Sequence, residues 1–144
     1  MPAPVSCSIM REVDVYVAMS HARELATELG FGATDRTRIE IVVLELTRNL
    51  LVHAGGGTLT FDRLHDPAHG IGLVVEALDQ GPGIVNIDLA LQDGYSTAHT
   101  LGSGLPGVRR LMDDFHITST VGVGTHVRAV KWLQQPQRRA IYGC

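Results

Sequence analysis

The chain has 144 residues, 44% hydrophobic and 19% charged, which is enough for one globular domain with a real core and too little for two. A net charge of -3 offers no basic surface to nucleic acid or anionic lipid, and no apolar run reaches membrane-spanning length, so neither a nucleic-acid nor a membrane partner is expected. Cys7 and Cys144 lack metal-ligand spacing and read as free thiols of a reducing compartment; with no signal-peptide pattern in residues 1–10, the expected location is cytoplasmic.

Residues 4–11 partly alternate and read as a first strand. A helix follows from about Val13 to Leu29, with Asp14 as its cap, Val17, Leu25 and Leu29 on one face, and Gly30 as C-cap. Thr34 or Asp35 caps a second helix running to about Ala54. Its apolar positions Ile39, Val42, Val43, Leu46 and Leu50 recur at three and four, the spacing of a core-facing stripe. Gly55-Gly56-Gly57 ends it. Thr58 to Phe61 reads as a strand, Asp62 to Gly70 as a polar turn, and the apolar run from Gly70 to Leu78 as a buried strand, which together predict a hairpin.

Val85 to Gln92 predicts one or two helical turns, and Asp93 to Gly104 a polar segment of the kind that stays mobile or closes over a ligand. A third helix covers Leu105 to Phe115, with Pro106 tolerated in its first turn. Ile117 to Val121 and Val127 to Trp132 are strands around the turn Gly122-Val123-Gly124-Thr125. This order implies a two-layer α/β sandwich, a mostly antiparallel mixed sheet with helices on one face. One domain spans residues 1–134, followed by a tail over 135–144.

Four local signals carry chemistry. Glu45 and Asn49 lie four apart on the second helix and therefore on one face, where a carboxylate can polarise a hydroxyl and a carboxamide can offer oxygen to a hard cation. His53 continues that stripe, as a ligand contact or as a capping or packing histidine. Asp79-Gln80-Gly81-Pro82-Gly83-Ile84 follows the buried strand, leaving an acid at the strand's edge and a glycine turn that backbone or ligand can approach closely. Gly102-Ser103-Gly104-Leu105-Pro106-Gly107 matches a dinucleotide fingerprint in letters only, because no buried strand precedes it. Nor do protein-kinase catalytic motifs follow Arg128-Ala129-Val130-Lys131. What survives is glycines at a helix entrance, where free N–H groups and the helix dipole suit an anion such as phosphate. Gly124-Thr125 is the fourth signal.

In this order and spacing the chain resembles the GHKL (Bergerat-fold) ATPases. Glu45 to Asn49, Asp79 to Ile84, Asp93 to Thr97 and Gly104 to Asp113 resemble, more narrowly, the RsbT-type serine/threonine switch kinases, relatives of the anti-sigma-factor kinases RsbW and SpoIIAB. The resemblance implies ATP and Mg2+ as cofactors. Asp79 would accept a hydrogen bond from the adenine amino group, supported by Thr125, with Gly81, Gly83 and Ile84 along the base. Asn49 would hold Mg2+, His53 would stand beside the nucleotide, and Gly102, Ser103, Gly104 and Leu105 would cradle the phosphates under a lid from Asp93 to Ser103. Glu45 would be the catalytic base.

It also implies partners: STAS-domain proteins, the antagonist and co-antagonist of a stressosome, as substrates, and a PP2C-type phosphatase activated in a bacterial stress response. The alternative is an anti-sigma factor that binds ATP and sequesters a sigma factor.

Overall fold

Alternation of apolar and polar residues builds the sheet. The computed structural model describes residues 3–92 and 104–134. Its strands are β1 (Val5–Ile9), β2 (Gly57–Asp66), β3 (Gly70–Leu78), β4 (Asp114–Thr120) and β5 (Gly124–Trp132), joined in the order β1-β2-β3-β5-β4. Every described pairing is antiparallel. Leu59 and Phe61 on β2, Leu73, Val75 and Ala77 on β3, and Val127 and Ala129 on β5 share one face and one core cluster with the helices. Burial of each large aliphatic side chain contributes roughly 1.5–3 kcal/mol.

The helices are α1 (Glu12–Leu29), α2 (Ala33–Ala54), α3 (Ile87–Ala90) and α4 (Gly104–Leu111). The expected stripe of α2 is buried as a set: Ile39, Val42, Val43, Leu46 and Leu50 are each at most 2% exposed. Both long helices end on glycines in the left-handed region, Gly30 at φ 96° and Gly55 at φ 71°, where a Cβ would be strained. No described helix is long and apolar enough to cross a membrane.

Several local expectations need correction. Arg11, not Asp14, is the N-cap of α1. Asp14 sits in the first turn and its Oδ2 accepts the N–H groups of Met10 and Arg11, both at 2.9 Å. Those amides, Met10 first, hold its carboxyl below the usual range. Val17 is 49% exposed; α1 buries the expected Leu25 together with Val15, Ala18, Ala22 and Ala26, and the alanines let the helix lie close. The N-cap of α2 is Gly32, so Thr34 and Asp35 stand inside the first turn. The polar stretch Asp62–Asp66 belongs to β2, because it pairs residue for residue with Gly70–Val74 of β3. Helix α4 stops at Leu111, since the Asp113 N–H crosses to the Val130 carbonyl (2.9 Å) and starts a strand. The expected lid and the tail lie outside the described residues.

Lys131 fixes how α4 sits on the sheet. Only 7% exposed, it donates to the Leu111 carbonyl at 3.1 Å and lies 3.4 Å from Asp113 and 3.7 Å from Asp35. A buried ammonium needs such partners, and here they join the end of α4 to the start of α2. The opposite end of α4 faces the cavity.

Candidate functional site

A cavity of about 700 Å3 lies between the helices and the sheet, within the size range of small-molecule sites, roughly 300–1,000 Å3. Leu46, Asn49, Leu50 and His53 of α2 form one wall, and Gly104, Leu105 and Pro106 of α4 another. Ala77, Asp79, Thr125 and Val127 form the floor, and residues 82–86 with Leu89 and Ala90 close the remaining side. The apolar floor continues the core, so the polar groups that interrupt it stand out.

Asp79 is held where β3 meets β5. Its N–H donates to the Thr125 carbonyl (3.0 Å), and its Oδ1 accepts the N–H groups of Gly81 (2.9 Å) and Thr125 (3.2 Å). The half-buried carboxylate is therefore oriented through one oxygen by two backbone donors. Gly124, at φ 148°, allows this approach: a Cβ there would run into the Asp79 carbonyl. Behind it, the Ser119 hydroxyl accepts the Ile84 N–H at 2.7 Å and pairs with the Thr125 hydroxyl at 2.8 Å. The Gly122 N–H donates to the Pro82 carbonyl (2.9 Å), so the glycine loop is bonded to the β4–β5 turn along its length.

The two loop glycines have different tasks. Gly83 lines the cavity at φ 79°, and a Cβ on it would come 2.5 Å from the Thr120 carbonyl oxygen. Gly81 does not line the cavity; a Cβ there would come 2.7 Å from the Ala54 Cβ, so it permits close packing against the end of α2.

From the helical wall, α2 brings Asn49 and the exposed His53 into the cavity, one and two turns beyond Glu45, with His53 next to Ala54, on which Gly81 packs. Glu45 is only 2% exposed and does not itself line the cavity. Its Oε1 accepts the N–H of Gly104, the first residue of α4, at 3.0 Å, and the Arg48 guanidinium lies 3.5 Å from its Oε2. The first-turn N–H groups of any helix lack intrahelical acceptors, and Pro106 has none to satisfy. The cavity therefore runs from an oriented carboxylate at Asp79 to an anion-favouring helix end at Gly104.

Of the residues singled out by sequence, Asn49, His53, Asp79, Gly83, Ile84, Gly104, Leu105 and Thr125 come together on the cavity. Glu45 and Gly81 sit immediately behind it, and Gly102 and Ser103 lie outside the described residues. Sequence reasoning missed Ser119 and Arg48. Ser119 sits in an ordinary alternating strand, and only the β4–β5 register, which pairs it with Thr125, reveals its place. Arg48 was visible as a neighbour three residues from Glu45 on a helix face.

Among the described residues no group of three or more His, Cys, Asp or Glu side chains could hold a metal by itself. The Asn49 carboxamide in the cavity wall is an oxygen donor of the kind Mg2+ accepts, an ion that keeps several waters and takes other ligands from substrate phosphates.

A model of the histidine kinase-like ATPase domain matches residues 10–131. The serine/threonine-protein kinase RsbT of Bacillus subtilis (strain 168) is 45% identical over 126 residues, covering 88% of this chain and 94% of that protein. An anti-sigma F factor of Thermoanaerobacter sp. (strain X514) is 28% identical over 98 residues, 66% of this chain and 68% of its own. Among solved structures, the RsbU and RsbW domains of a Mycobacterium tuberculosis protein superpose with a TM-score of 0.65 at 16% identity, over 95% of this chain and 34% of that one. The SiaB–SiaC complex of Pseudomonas aeruginosa gives a TM-score of 0.59 at 12% identity, with 89% of each chain covered. Both structural likenesses concern the fold.

Proposed function

The chain belongs to the histidine kinase-like ATPase domain family, on the branch of the RsbT-type serine/threonine kinases, and from that premise we propose that it transfers the γ-phosphoryl group of ATP to a partner protein, with the nucleotide in the cavity between α2, α4 and the sheet. The observation that carries this reading is the polarity of the cavity. An oriented carboxylate marks one end, a helix entrance the other, and a buried acid touches that entrance.

Asp79 accepts a hydrogen bond from the adenine amino group through the oxygen not committed to Gly81 and Thr125. Thr125, oriented by Ser119, supports the same edge. Apolar Ala77, Leu46, Leu50 and Val127 enclose the base. Gly104 and Leu105 at the α4 entrance take the phosphates, with Gly102 and Ser103, which precede them in the chain, as further contacts. Asn49 supplies one oxygen to Mg2+, which when bound neutralises phosphate charge. His53 lines the same cavity one turn beyond Asn49 on α2, as a further contact to the nucleotide.

Phosphoryl transfer depends chiefly on positioning and charge neutralisation. The bond from γ-phosphorus to the β,γ-bridging oxygen breaks, a bond to the incoming serine or threonine oxygen forms, and Glu45 takes the hydroxyl proton. To reach that proton Glu45 exchanges its contact with the Gly104 N–H, which is then released to a phosphate oxygen.

The partners are proposed to be STAS-domain proteins of a stressosome-type partner-switching pathway, with a PP2C-type phosphatase as the downstream output. The anti-sigma F factor relatives support the alternative of stoichiometric sequestration of a sigma factor. Glu45 and Asn49, both in place, favour transfer, because a purely sequestering protein has no use for a base. The test is incubation with labelled ATP, Mg2+ and a STAS-domain partner from the neighbouring reading frames, beside Glu45→Ala. Label on a serine or threonine of the partner, absent with the variant, is expected. No label with the wild-type protein, despite bound ATP, overturns the kinase reading in favour of sequestration.

A further inference from the structure

Among the described contacts of Glu45, one lies on each carboxylate oxygen. Its Oε1 carries the Gly104 N–H at 3.0 Å, while its Oε2 faces the Arg48 guanidinium at 3.5 Å. The two side chains differ sharply in setting: that of Glu45 is 3% exposed and that of Arg48 is 35% exposed. An exposed i,i+3 ion pair contributes little. One that reaches a buried carboxylate is different, because the acid has lost its hydration and depends on its remaining donors.

We propose that Arg48 is a positioning residue for phosphoryl transfer: it holds Oε2 of Glu45 so that Oε1 alone exchanges between the Gly104 N–H and the partner's hydroxyl. This rests on the reading of Glu45 as the base. Spacing of three on α2 places the guanidinium on the same face as the carboxylate, and the helix backbone fixes both Cα atoms. A planar guanidinium restrains the rotation of a carboxylate as well as its charge, which an ammonium does less well. Without Arg48, Oε2 of Glu45 loses that charged neighbour, the carboxylate's last torsion, a broad and soft one, is less restrained, and the hydroxyl meets a base that is present but less well aimed. Misplacement on the scale of 1 Å costs up to about a hundredfold in rate.

The test compares Arg48→Met, which keeps the apolar stem, with Arg48→Lys and Glu45→Gln in the phosphotransfer assay, with ATP affinity measured separately by calorimetry. For Arg48→Met, kcat should fall roughly 10- to 100-fold while the ATP dissociation constant and KM stay within about twofold. Arg48→Lys should recover part of the rate, and millimolar guanidinium ion should recover part of the rate of Arg48→Met. Rescue of that kind does not follow from a merely structural role. If Arg48→Met fails to fold, Arg48→Lys alone decides: a lowered kcat at unchanged KM supports positioning, and wild-type kcat overturns it. With Glu45→Gln inactive, a wild-type rate for Arg48→Met overturns the role of Arg48 and leaves the base assignment standing. An active Glu45→Gln overturns both.

Discussion

At the end of the cavity proposed to read the base, loop and strands are bonded to one another repeatedly: Asp79 to Gly81 and Thr125, Ile84 to Ser119, Ser119 to Thr125, and Gly122 to Pro82. At the end proposed for the phosphates, the Glu45 carboxylate accepts the Gly104 N–H and so joins α2 to the start of α4. The two ends are proposed to have different tasks. A base is read the same way in every cycle, so its reader is best built rigid, and preorganised donors and acceptors cost nothing to arrange on binding. Phosphates arrive, lose one group and leave. The Glu45–Gly104 hydrogen bond is a contact that a phosphate oxygen can replace.

This difference is open to attack from both ends, and the largest effect belongs to the phosphate end. Replacing Glu45 by Gln should lower phosphoryl transfer by about 10^2- to 10^4-fold, the usual contribution of a positioned acid or base. Single-turnover transfer measures the loss, and ATP binding should be retained. A variant that loses binding in proportion to transfer would show that Glu45 serves the cavity's architecture instead.

The next effect is at the base end. Gly83→Ala places a Cβ 2.5 Å from the Thr120 carbonyl oxygen at a φ of 79°. The strain and overpacking together should lower unfolding free energy by about 2–4 kcal/mol in urea denaturation. Near-wild-type stability would mean the loop can shift, and the base end is then less rigid than the hydrogen bonds suggest. Smallest is Ser119→Ala, which leaves the Ile84 N–H without its 2.7 Å acceptor. Stability should fall by about 1–2 kcal/mol, with a smaller loss of ATP affinity read by calorimetry.

The two ends also differ in how far the chain itself announced them. The α2 stripe, the Glu45–Asn49 spacing and the Asp79 turn after an apolar strand are local patterns, and they were legible because helix and strand periods are written into consecutive residues. Asp79 and Thr125 meet only through the β3–β5 register, which links residues 46 positions apart. That register is set by pairing across the whole sheet rather than by anything near either residue. Ser119 stayed hidden for the same reason.

Boundary misreadings have equally specific causes. Asp62–Asp66 is polar enough for a turn, yet it pairs along β3, and tertiary pairing overrode composition. Leu111, Met112 and Phe115 continue a helical spacing, yet cross-strand bonding at Asp113 ended α4 early. Val17 looked like core because it is apolar. The buried face holds three alanines beside Val15 and the expected Leu25, and Val17 falls off it.

The most direct measurement is a calorimetric comparison of ATP with inosine triphosphate, whose base carries a carbonyl in place of the amino group, on the wild-type protein and on Asp79→Asn. Asn preserves the Oδ1 acceptor used by Gly81 and Thr125, so the fold should survive the exchange. If the carboxylate of Asp79 faces the adenine amino group, the wild-type protein binds ATP clearly more tightly than inosine triphosphate. Asp79→Asn then loses about 1.5–3 kcal/mol for ATP and most of that preference. Equal affinities for the two nucleotides in the wild-type protein, or an ATP affinity unchanged by the substitution, would contradict an adenine-reading role for Asp79.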